Sequence, residues 1–419
     1  MSTLPSPDQD RLWRQLMELA EFREQDQPGH TRRVFSEPYQ QSRAWVEEQM
    51  EKVGLVVHPD PVGNLIGELA GADPGLPAIV LGSHTDTVAG GGRFDGMVGV
   101  VGAIEVARLL RVGGVPLRHP LWIVDFVGEE PNRFGLSCLG SRAVTGLLSP
   151  ADLGLLDQAG QTLGAALSAT GARPGDLAAG VWPAGNLYAY LELHIEQGAT
   201  LERAGVGLGV VTAIAGIHRA VVTIRGRADH SGTTTMAARR DALAAGAEVV
   251  LLVERLGQTA AEDGSGVATV GRLEVTPGAA NVVPGQVAAW VEFRGAVESW
   301  LRDRHLQLEV GVRELARRRD VGGSVEWLSS GPPVSCAEEV RQLIRTAGEE
   351  LGQSLLDLPS GASHDAVHLA HLCPMGMIFV PSRDGRSHCP EEWTEPAEVA
   401  LGVTALLAAV LRLDSRESL

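Results

Sequence analysis

The sequence predicts an α/β protein with a second domain inserted into the first. Short apolar runs that end abruptly in polar residues alternate with helical patterns, which is typical of a sheet covered by helices on both faces. A central segment instead combines alternating strand patterns with two long helical patterns. The chain has 419 residues, of which 44% are hydrophobic and 21% charged. This length and composition predict two or three domains with substantial cores.

The two outer parts of the chain predict one larger domain. Residues 8–25 and 39–53 predict amphipathic helices, and residues 96–112 predict another. The runs that predict strands are PAIVLGSHTD (77–86), LWIVDFVGEE (121–130), LYAYLELHIEQG (187–198) and MGMIFVPS (375–382). Because such near-continuous apolar strands are usually buried on both faces, we expect a three-layer αβα domain. It would comprise residues 1–213 and 332–419.

Residues 214–331 predict a separate domain between these two parts. The strand patterns are AVVTIRGRADH, GVATVGRLEV, QVAAWVEFRG and GGSVEWLS, and the helical patterns are RRDALAAGAEVVLLVERLG and SWLRDRHLQLEVGVRELARRR. Their order along the chain is β-α-β-β-α-β, which is that of a ferredoxin-like sandwich. The stretches at 212–216 and 329–333 are expected hinges.

Composition makes several classes of partner improbable. The formal net charge of −17 disfavours binding to nucleic acid or to an anionic membrane surface. No apolar run reaches the roughly 18 residues of a membrane span, and the longest, at 399–411, predicts a short helix. The N-terminal residues do not resemble a secretory signal, and four cysteines form no disulfide framework. A cytoplasmic protein is the expectation.

Polar side chains with metal-binding chemistry cluster where the predicted strands end. Those at or near the carboxyl ends of apolar runs are His84, Asp86, Glu129, Glu130 and His194, and those in loops after such runs are Asp95 and His388. In open α/β sheets this edge is where ligands bind. We therefore expect these side chains to meet in one site.

Imidazole and carboxylate groups without thiolate suit Zn²⁺, Mn²⁺, Co²⁺ or Ni²⁺. Three histidines and two carboxylates hold two ions if one carboxylate bridges them. Asp95 is the expected bridging ligand, because the backbone of its glycine-rich loop, GGGRFDGMVG, can approach an ion closely. One carboxylate of the Glu129–Glu130 pair would bind metal, and the other would take a proton from the attacking water. The Asp86 side chain would accept the second N–H of His84 and fix its tautomer.

Seven stretches carry a family resemblance, in the right order along most of the chain. They are GSHTDTVAGGGRFDGMVGV, VGEEPNRFG, LELHIEQG, GRADHSGTTTMAARRDA, PGAANVVPGQ, SGASHDA and RSHCPEEW. Together they resemble the M20-type dinuclear metal amidohydrolases. The closest likeness is to the hydantoinase/carbamoylase branch, which contains N-carbamoyl-L-amino acid hydrolases and allantoate amidohydrolases. The histidine in ELHIEQG resembles this branch, because the peptidase relatives usually carry a carboxylate there.

The resemblance implies a role for each matching residue. One ion would be held by His84, Asp95 and His194, and the other by Asp95, Glu130 and His388. Glu129 would be the general base. The inserted domain would be a lid and the main contact of a homodimer.

The resemblance also implies the contacts with substrate. His230 would reach the active site of the partner subunit and stabilise the oxyanion. Asn281 and Arg294 would hold the substrate, with the arginine on its carboxylate, and Gln197 and His364 are further candidate contacts. Ser231, Thr235, Ser363 and Cys389 depart from the family's common pattern and bear on substrate identity.

The expected function is hydrolysis of an N-carbamoyl-L-amino acid, or a similar ureido acid, to the amino acid, carbon dioxide and ammonia. Allantoate amidohydrolase is the first alternative, with the same metals and a different pocket. An aminoacylase or dipeptidase is the second, since it would use the same site on another bond. A binding protein without metal would lack a ligand or the base, and the sequence lacks none of them. Cys138, close to the glutamate pair, is expected to be a small buried residue.

Overall fold

The computed structural model describes residues 6–261 and 264–416. The chain divides into two compact units. Unit 1 comprises Met1–Thr212, Cys336–Leu358 and His364–Leu419, and unit 2 comprises Ala213–Ser335 and Pro359–Ser363.

The larger sheet is mixed and has nine strands in the order β1-β2-β4-β3-β5-β15-β6-β13, with β14 also paired to β6. Its strands are β1 (Val56–Pro59), β2 (Leu65–Leu69), β3 (Ala78–His84), β4 (Leu121–Phe126), β5 (Leu187–Ile195), β6 (Leu208–Ile214), β13 (Val334–Ser335), β14 (Leu355–Ser360) and β15 (Met375–Val380). The neighbours β4, β3, β5 and β15 run parallel. Their carboxyl ends therefore lie at one edge of the sheet.

The helices of unit 1 are α1 (Gln9–Glu21), α2 (Glu37–Lys52), α3 (Met97–Val112), α4 (Leu139–Val144), α5 (Leu163–Ala169), α6 (Thr200–Ala204), α9 (Glu338–Glu350), α10 (Ala366–Leu369) and α11 (Pro396–Asp414). Strands β3 and β15 are buried at every residue, as expected of strands covered on both faces. The predicted α/β architecture is confirmed. So are the four predicted strands and the three predicted helices, with ends displaced by a few residues.

Helix α11 is longer than the sequence pattern predicted. It has 19 residues and begins with a capping box. The Glu395 side chain accepts the backbone N–H of Glu398, and the Glu398 side chain accepts that of Glu395. By length and composition it is apolar enough to cross a membrane, and 56% of its most apolar window is buried inside the protein. The prediction of a short helix here was therefore wrong, and α11 packs in the core of unit 1.

Unit 2 contains an antiparallel four-stranded sheet in the order β12-β7-β11-β9. Its strands and helices are β7 (Gly216–Arg225), β8 (Asp229–His230), β9 (Val267–Thr276), β10 (Val282–Val283), β11 (Gln286–Gly295), β12 (Gly322–Gly331), α7 (Ala242–Gly257) and α8 (Glu298–Arg319). Alternate residues of β11 are buried against the helices, among them Val287 and Phe293. This sheet and its two helices form a core separate from that of unit 1.

The first strand of unit 2 ends earlier than predicted. The pattern predicted one strand through His230, but β7 ends at Arg225, and β8 pairs separately with β10. Gly226 marks the break, because a side chain there would overlap the carbonyl oxygen of Arg240. His230 therefore lies in a short two-stranded ribbon, in which it is paired with Val282.

Candidate metal centre

The edge of the parallel strands brings five predicted ligands together in unit 1. His84 is the last residue of β3, His194 lies one residue before the end of β5, and Glu130 follows β4. Asp95 precedes α3, and the next residue is Gly96, whose φ is 74°. A Cβ on Gly96 would lie 2.5 Å from His84 Nε2, so this glycine lets the Asp95 loop approach the imidazole.

The five ligands form two groups that share Asp95. His84, Asp95 and His194 form one group, and Asp95, Glu130 and His388 form the other, each with ligand atoms within 4.8 Å of one another. Asp95 Oδ1 lies 3.2 Å from His194 Nε2 and 3.7 Å from His84 Nε2. Asp95 Oδ2 lies 2.9 Å from His388 Nε2, which is 3.2 Å from Glu130 Oε1. Each oxygen of this one carboxylate thus belongs to a different group.

Backbone carbonyl groups fix the orientation of two of the imidazoles. His84 Nδ1 lies 3.0 Å from the Asp86 carbonyl oxygen, and His194 Nδ1 lies 2.9 Å from the carbonyl oxygen of Ile195. A carbonyl oxygen only accepts hydrogen bonds, so both Nδ1 atoms donate. The Nε2 atoms of both rings then face the carboxylate of Asp95. A divalent cation bound there would take the place of the protons on these Nε2 atoms.

The side chain of Asp86 has a different partner from the predicted one. Its carboxylate is 3.6 Å from His84 Nδ1, farther than its own carbonyl oxygen. Instead the two carboxylate oxygens accept the backbone N–H groups of Glu129 and Glu130, each at 3.2 Å. The predicted link to the His84 N–H is therefore made chiefly by the Asp86 backbone, while its side chain holds the glutamate pair.

Glu129 lies beside the first group without belonging to either. Its Oε2 is 3.8 Å from His84 Nε2, and its Oε1 is 3.6 Å from the Cys138 thiol. The Cys138 N–H donates to the Glu129 carbonyl oxygen at 2.9 Å, which ties the glutamate loop to the start of α4. Cys138 is buried, as predicted. Burial raises the pKa of its thiol well above the ordinary value, so the thiol remains protonated.

Two carboxylates of the site have strongly perturbed pKa values of opposite sign. Burial, together with the nearby carboxyl groups of Glu130 and Asp365, raises the pKa of Glu129 well above its ordinary value. Burial also acts to raise the pKa of Asp95, but hydrogen bonds to His194 and His388 outweigh it and hold this pKa well below the usual range. The same site thus lowers the pKa of Asp95 and raises that of Glu129.

Gln197 and His364 contact different members of this cluster. Gln197 Nε2 is 2.9 Å from Asp95 Oδ2, and Gln197 Oε1 is buried without a hydrogen-bond partner among the residues that the structure describes. The ring of His364 is buried, with its centroid 4.6 Å from that of His194. Burial and the neighbouring His194 lower the pKa of His364 well below its ordinary value, so it is neutral.

Two buried glutamates of the site were not predicted from the sequence. Glu192 accepts hydrogen bonds from Ser83 Oγ and Tyr190 OH, both at 2.9 Å, and forms a third group of donor atoms with His194 and His364. Glu392 accepts the backbone N–H of Asp95 at 3.1 Å. The alternation of LYAYLELHIEQG and the proximity of Glu392 to His388 were the available signals.

The remaining predicted residues belong to unit 2. His230 is exposed, and its Nδ1 accepts the backbone N–H groups of Gly232 at 3.0 Å and Thr233 at 3.3 Å. Asn281 is exposed, and its carbonyl oxygen accepts the N–H of Ser231 at 3.1 Å. Arg294 is partly exposed on β11, where it pairs with Glu292 at 2.6 Å.

The donor set of unit 1 fits a divalent metal site. It offers three imidazoles and two carboxylates, a set that Zn²⁺, Mn²⁺, Co²⁺ and Ni²⁺ all accept. Four of the five side chains are buried, and His388 is about half exposed, at 46% of its side-chain surface. One ligand of the set thus faces solvent, while the other four are enclosed.

Comparisons with known proteins show what the chain is similar to. Residues 80–412 match the model of peptidase family M20/M25/M40. The chain is 40% identical to an N-carbamoyl-L-amino acid amidohydrolase of Geobacillus stearothermophilus, over 97% of this chain and 99% of the relative. It is 36% identical to a ureidoglycolate hydrolase of Oryza sativa, over 97% and 85% of the two chains, and 32% identical to an allantoate amidohydrolase of Bacillus subtilis, over 94% and 95%.

A solved structure of similar fold is an amidase of the hydantoinase/carbamoylase family from Burkholderia multivorans. It superposes with a TM-score of 0.89 at 35% identity and covers 98% of this chain and 99% of its own.

Proposed function

The chain belongs to peptidase family M20/M25/M40, and we propose that it hydrolyses the carbamoyl C–N bond of an N-carbamoyl-L-amino acid to give the amino acid, carbon dioxide and ammonia. The observation that carries this proposal is the division of the Asp95 oxygens between two groups of ligands. The 40% identity to an N-carbamoyl-L-amino acid amidohydrolase supports the choice of substrate. The enzyme is then a hydrolase of non-peptide C–N bonds.

Each subunit would hold two divalent ions. His84, Asp95 and His194 would bind one, and Asp95, Glu130 and His388 the other. When bound, the ions supply Lewis acidity that activates water and polarises the carbonyl group of the substrate. The backbone acceptors of His84 and His194 keep the Nε2 atoms of both rings directed at this position.

Glu129 would move the proton. It lies outside both ligand groups, and its raised pKa suits a group that accepts and returns a proton near neutral pH. Its carboxylate would take a proton from the attacking water and pass it to the leaving nitrogen. The Asp86 carboxylate fixes the backbone of Glu129, and the Cys138 thiol contacts its side chain.

Unit 2 would supply the contacts to substrate, as a lid and as the main contact of a homodimer. Both backbone contacts of His230 are made by Nδ1 as acceptor, so the neutral ring carries its proton on Nε2. That Nε2–H would donate to the oxyanion in the active site of the partner subunit. Arg294 would bind the substrate carboxylate, and Asn281 would assist it.

Allantoate amidohydrolase is the second candidate function. The relative from Bacillus subtilis, at 32% identity, favours it, because the same groups would hydrolyse a C–N bond of a ureido group in either substrate. Only the pocket around the substrate side chain would differ.

Ammonia release after metal reconstitution tests the proposal. We would strip the enzyme with a chelator, add back Mn²⁺, Co²⁺, Ni²⁺ or Zn²⁺, and offer N-carbamoyl-L-amino acids, β-ureidopropionate, ureidoglycolate and allantoate. N-acetyl amino acids and dipeptides, followed by release of free amine, are the comparison substrates. We expect metal-dependent ammonia release, fastest from an N-carbamoyl-L-amino acid. Hydrolysis of the acyl or peptide substrates alone would contradict the proposed substrate class, and preference for allantoate would establish the second candidate.

A further inference from the structure

We propose that Glu392 is a positioning residue of the metal centre, which holds the backbone of the bridging Asp95 and the loop that carries His388. The inference rests on the proposed metal centre but is independent of the substrate. No contact of Glu392 with the ligand atoms themselves is required. Its carboxylate acts through the backbone and through one serine.

The Glu392 side chain is fully buried and makes three hydrogen bonds. Its Oε1 accepts the backbone N–H groups of Phe94, at 2.8 Å, and of Asp95, at 3.1 Å. Its Oε2 accepts the hydroxyl of Ser387 at 2.7 Å. One carboxylate thus joins the residue before His388 to the residue whose side chain is shared by both ligand groups.

Ser387 extends this link to the bridging carboxylate. Its Oγ lies 3.4 Å from Asp95 Oδ2, the oxygen that faces His388. The hydroxyl has one proton, and the shorter contact, to Glu392, takes it. Glu392 therefore fixes the Ser387 rotamer, and with it the backbone next to His388.

The glycine-rich loop is shaped around Glu392. A side chain on Gly92 would overlap both the carboxylate and the Cβ of Glu392. This glycine lies three residues before Asp95, so the loop wraps around the carboxylate before it presents the bridging ligand. The absence of a side chain at position 92 thus lets the Asp95 loop close over Glu392.

Charge gives a reason to bury a glutamate here. A buried carboxylate is costly unless it is compensated, and no lysine or arginine among residues 6–261 and 264–416 forms an ion pair with Glu392. Two backbone amides and one hydroxyl satisfy its oxygens, while its negative charge adds to that of Asp95. Divalent cations bound to Asp95 lower the electrostatic energy of both carboxylates. Glu392 should therefore raise the affinity of the site for metal.

Metal affinity measured on the apoenzyme tests this role without any substrate. We would titrate the chelator-stripped protein with Zn²⁺ in competition with a chromophoric chelator, and follow folding by circular dichroism. Glu392→Ala should weaken Zn²⁺ binding about 10- to 100-fold, as is usual when a partner of metal ligands is removed. Glu392→Gln keeps an acceptor for the two backbone N–H groups but loses the negative charge, so its Zn²⁺ affinity should lie between those of the wild type and Glu392→Ala.

Glu391 offers a matched control in the same turn. Its exposed carboxylate pairs with Arg386 at 3.0 Å, so Glu391→Ala should bind Zn²⁺ as tightly as the wild type. If Glu392→Ala does not fold, Ser387→Ala is the second variant. It removes the hydrogen bond from Ser387 to Glu392 and should still weaken Zn²⁺ binding several-fold, because this hydrogen bond supports the loop that carries His388.

The outcomes separate the two proposals. Folded Glu392→Ala or Ser387→Ala proteins that bind Zn²⁺ with the wild-type affinity would overturn the role of Glu392. A loss of stability with unchanged Zn²⁺ affinity would assign Glu392 to the fold alone and would also overturn the proposal. If the affinities change as expected but no ureido compound is hydrolysed, the positioning role stands and the proposed substrate fails.

Discussion

The candidate ligands of unit 1 and the candidate substrate contacts of unit 2 are held in different ways. His84 and His194 are 1% exposed, and their Nδ1 atoms are tied to backbone carbonyl oxygens. His230 and Asn281 are exposed, and the backbone contacts of His230 lie within three residues of it in the chain. The first set is fixed by burial and by backbone contacts, whereas the second is exposed to solvent.

This difference indicates that the two sets of residues would have different roles: metal binding and catalysis in unit 1, and substrate recognition in unit 2. A metal site needs its ligands fixed to within tenths of an ångström, and burial with backbone hydrogen bonds provides this. Contacts to a substrate need atoms with unused hydrogen-bonding capacity. Substitutions in unit 1 should therefore impair the chemical step or metal binding, and substitutions in unit 2 should impair substrate binding or oxyanion stabilisation.

The largest expected effect is at the proposed base. Glu129→Gln keeps the size of the side chain and removes its ability to accept a proton, so kcat should fall about 10³-fold. Because Glu129 lies outside both ligand groups, the metal content should be unchanged. Steady-state kinetics with metal analysis checks both statements, and a parallel loss of metal would place Glu129 among the ligands instead.

The next effect concerns Arg294 in unit 2. Arg294→Gln should lower kcat/KM about 100-fold, or about 2.7 kcal/mol, mainly through KM, because a charge-assisted contact to the substrate carboxylate is lost. Arg219→Gln is the matched control, since Arg219 pairs with the same Glu292 at 2.6 Å. Equal losses in the two variants would show that Glu292 pairing, and not substrate binding, is responsible.

A buried histidine of unit 1 that is not a candidate ligand, His368, should make the stability of the protein depend on pH. Burial lowers the pKa of His368 to about 3, and within the described part of the chain its Nδ1 has no hydrogen-bond partner. The folded state therefore excludes a proton that the unfolded state binds below about pH 6.5. The stability that depends on neutral His368 is complete above pH 6.5 and is lost as the pH falls toward 3.

At pH 5 the burial of neutral His368 should lower the free energy of unfolding by about 2 kcal/mol. His368→Gln removes the titration, so urea unfolding of wild type and variant at pH 8 and pH 5 measures it. We expect the wild type to lose about 2 kcal/mol more than the variant between these values. Equal losses would contradict the assignment.

The last prediction concerns a partial recovery of activity, which tests whether His230 acts across a dimer. Glu129→Gln and His230→Ala subunits should each be inactive, but a mixed dimer has one site with both groups if His230 acts in the partner's site. Random mixing should then restore about a quarter of wild-type activity. Confirmed mixed dimers without activity would mean that His230 does not act in trans.

The edge of the sheet that carries the candidate ligands was predictable, because metal-binding side chains stand at the ends of the predicted strands in the sequence. His84, His194 and Glu130 each follow or end an apolar run, and parallel strands place such residues at one edge. Asp95 was predictable from its glycine-rich loop. The structure then places its two oxygens in two different groups, as a bridge requires.

Contacts made by backbone atoms were not predictable in the same way. The carbonyl oxygen of Asp86, rather than its carboxylate, is the closer partner of His84, and no residue type signals this. Glu392 binds amides 297 and 298 residues away in sequence, a distance at which no spacing rule applies. The short strands β1 and β2 have too few residues to show a clear alternation.

Anomalous diffraction from crystals equilibrated with Zn²⁺ tests the central claim, that one carboxylate holds two ions. We predict two peaks per chain. One should lie between Asp95 Oδ1, His84 and His194, and the other between Asp95 Oδ2, Glu130 and His388. A single peak, or peaks that do not share Asp95, would contradict the account.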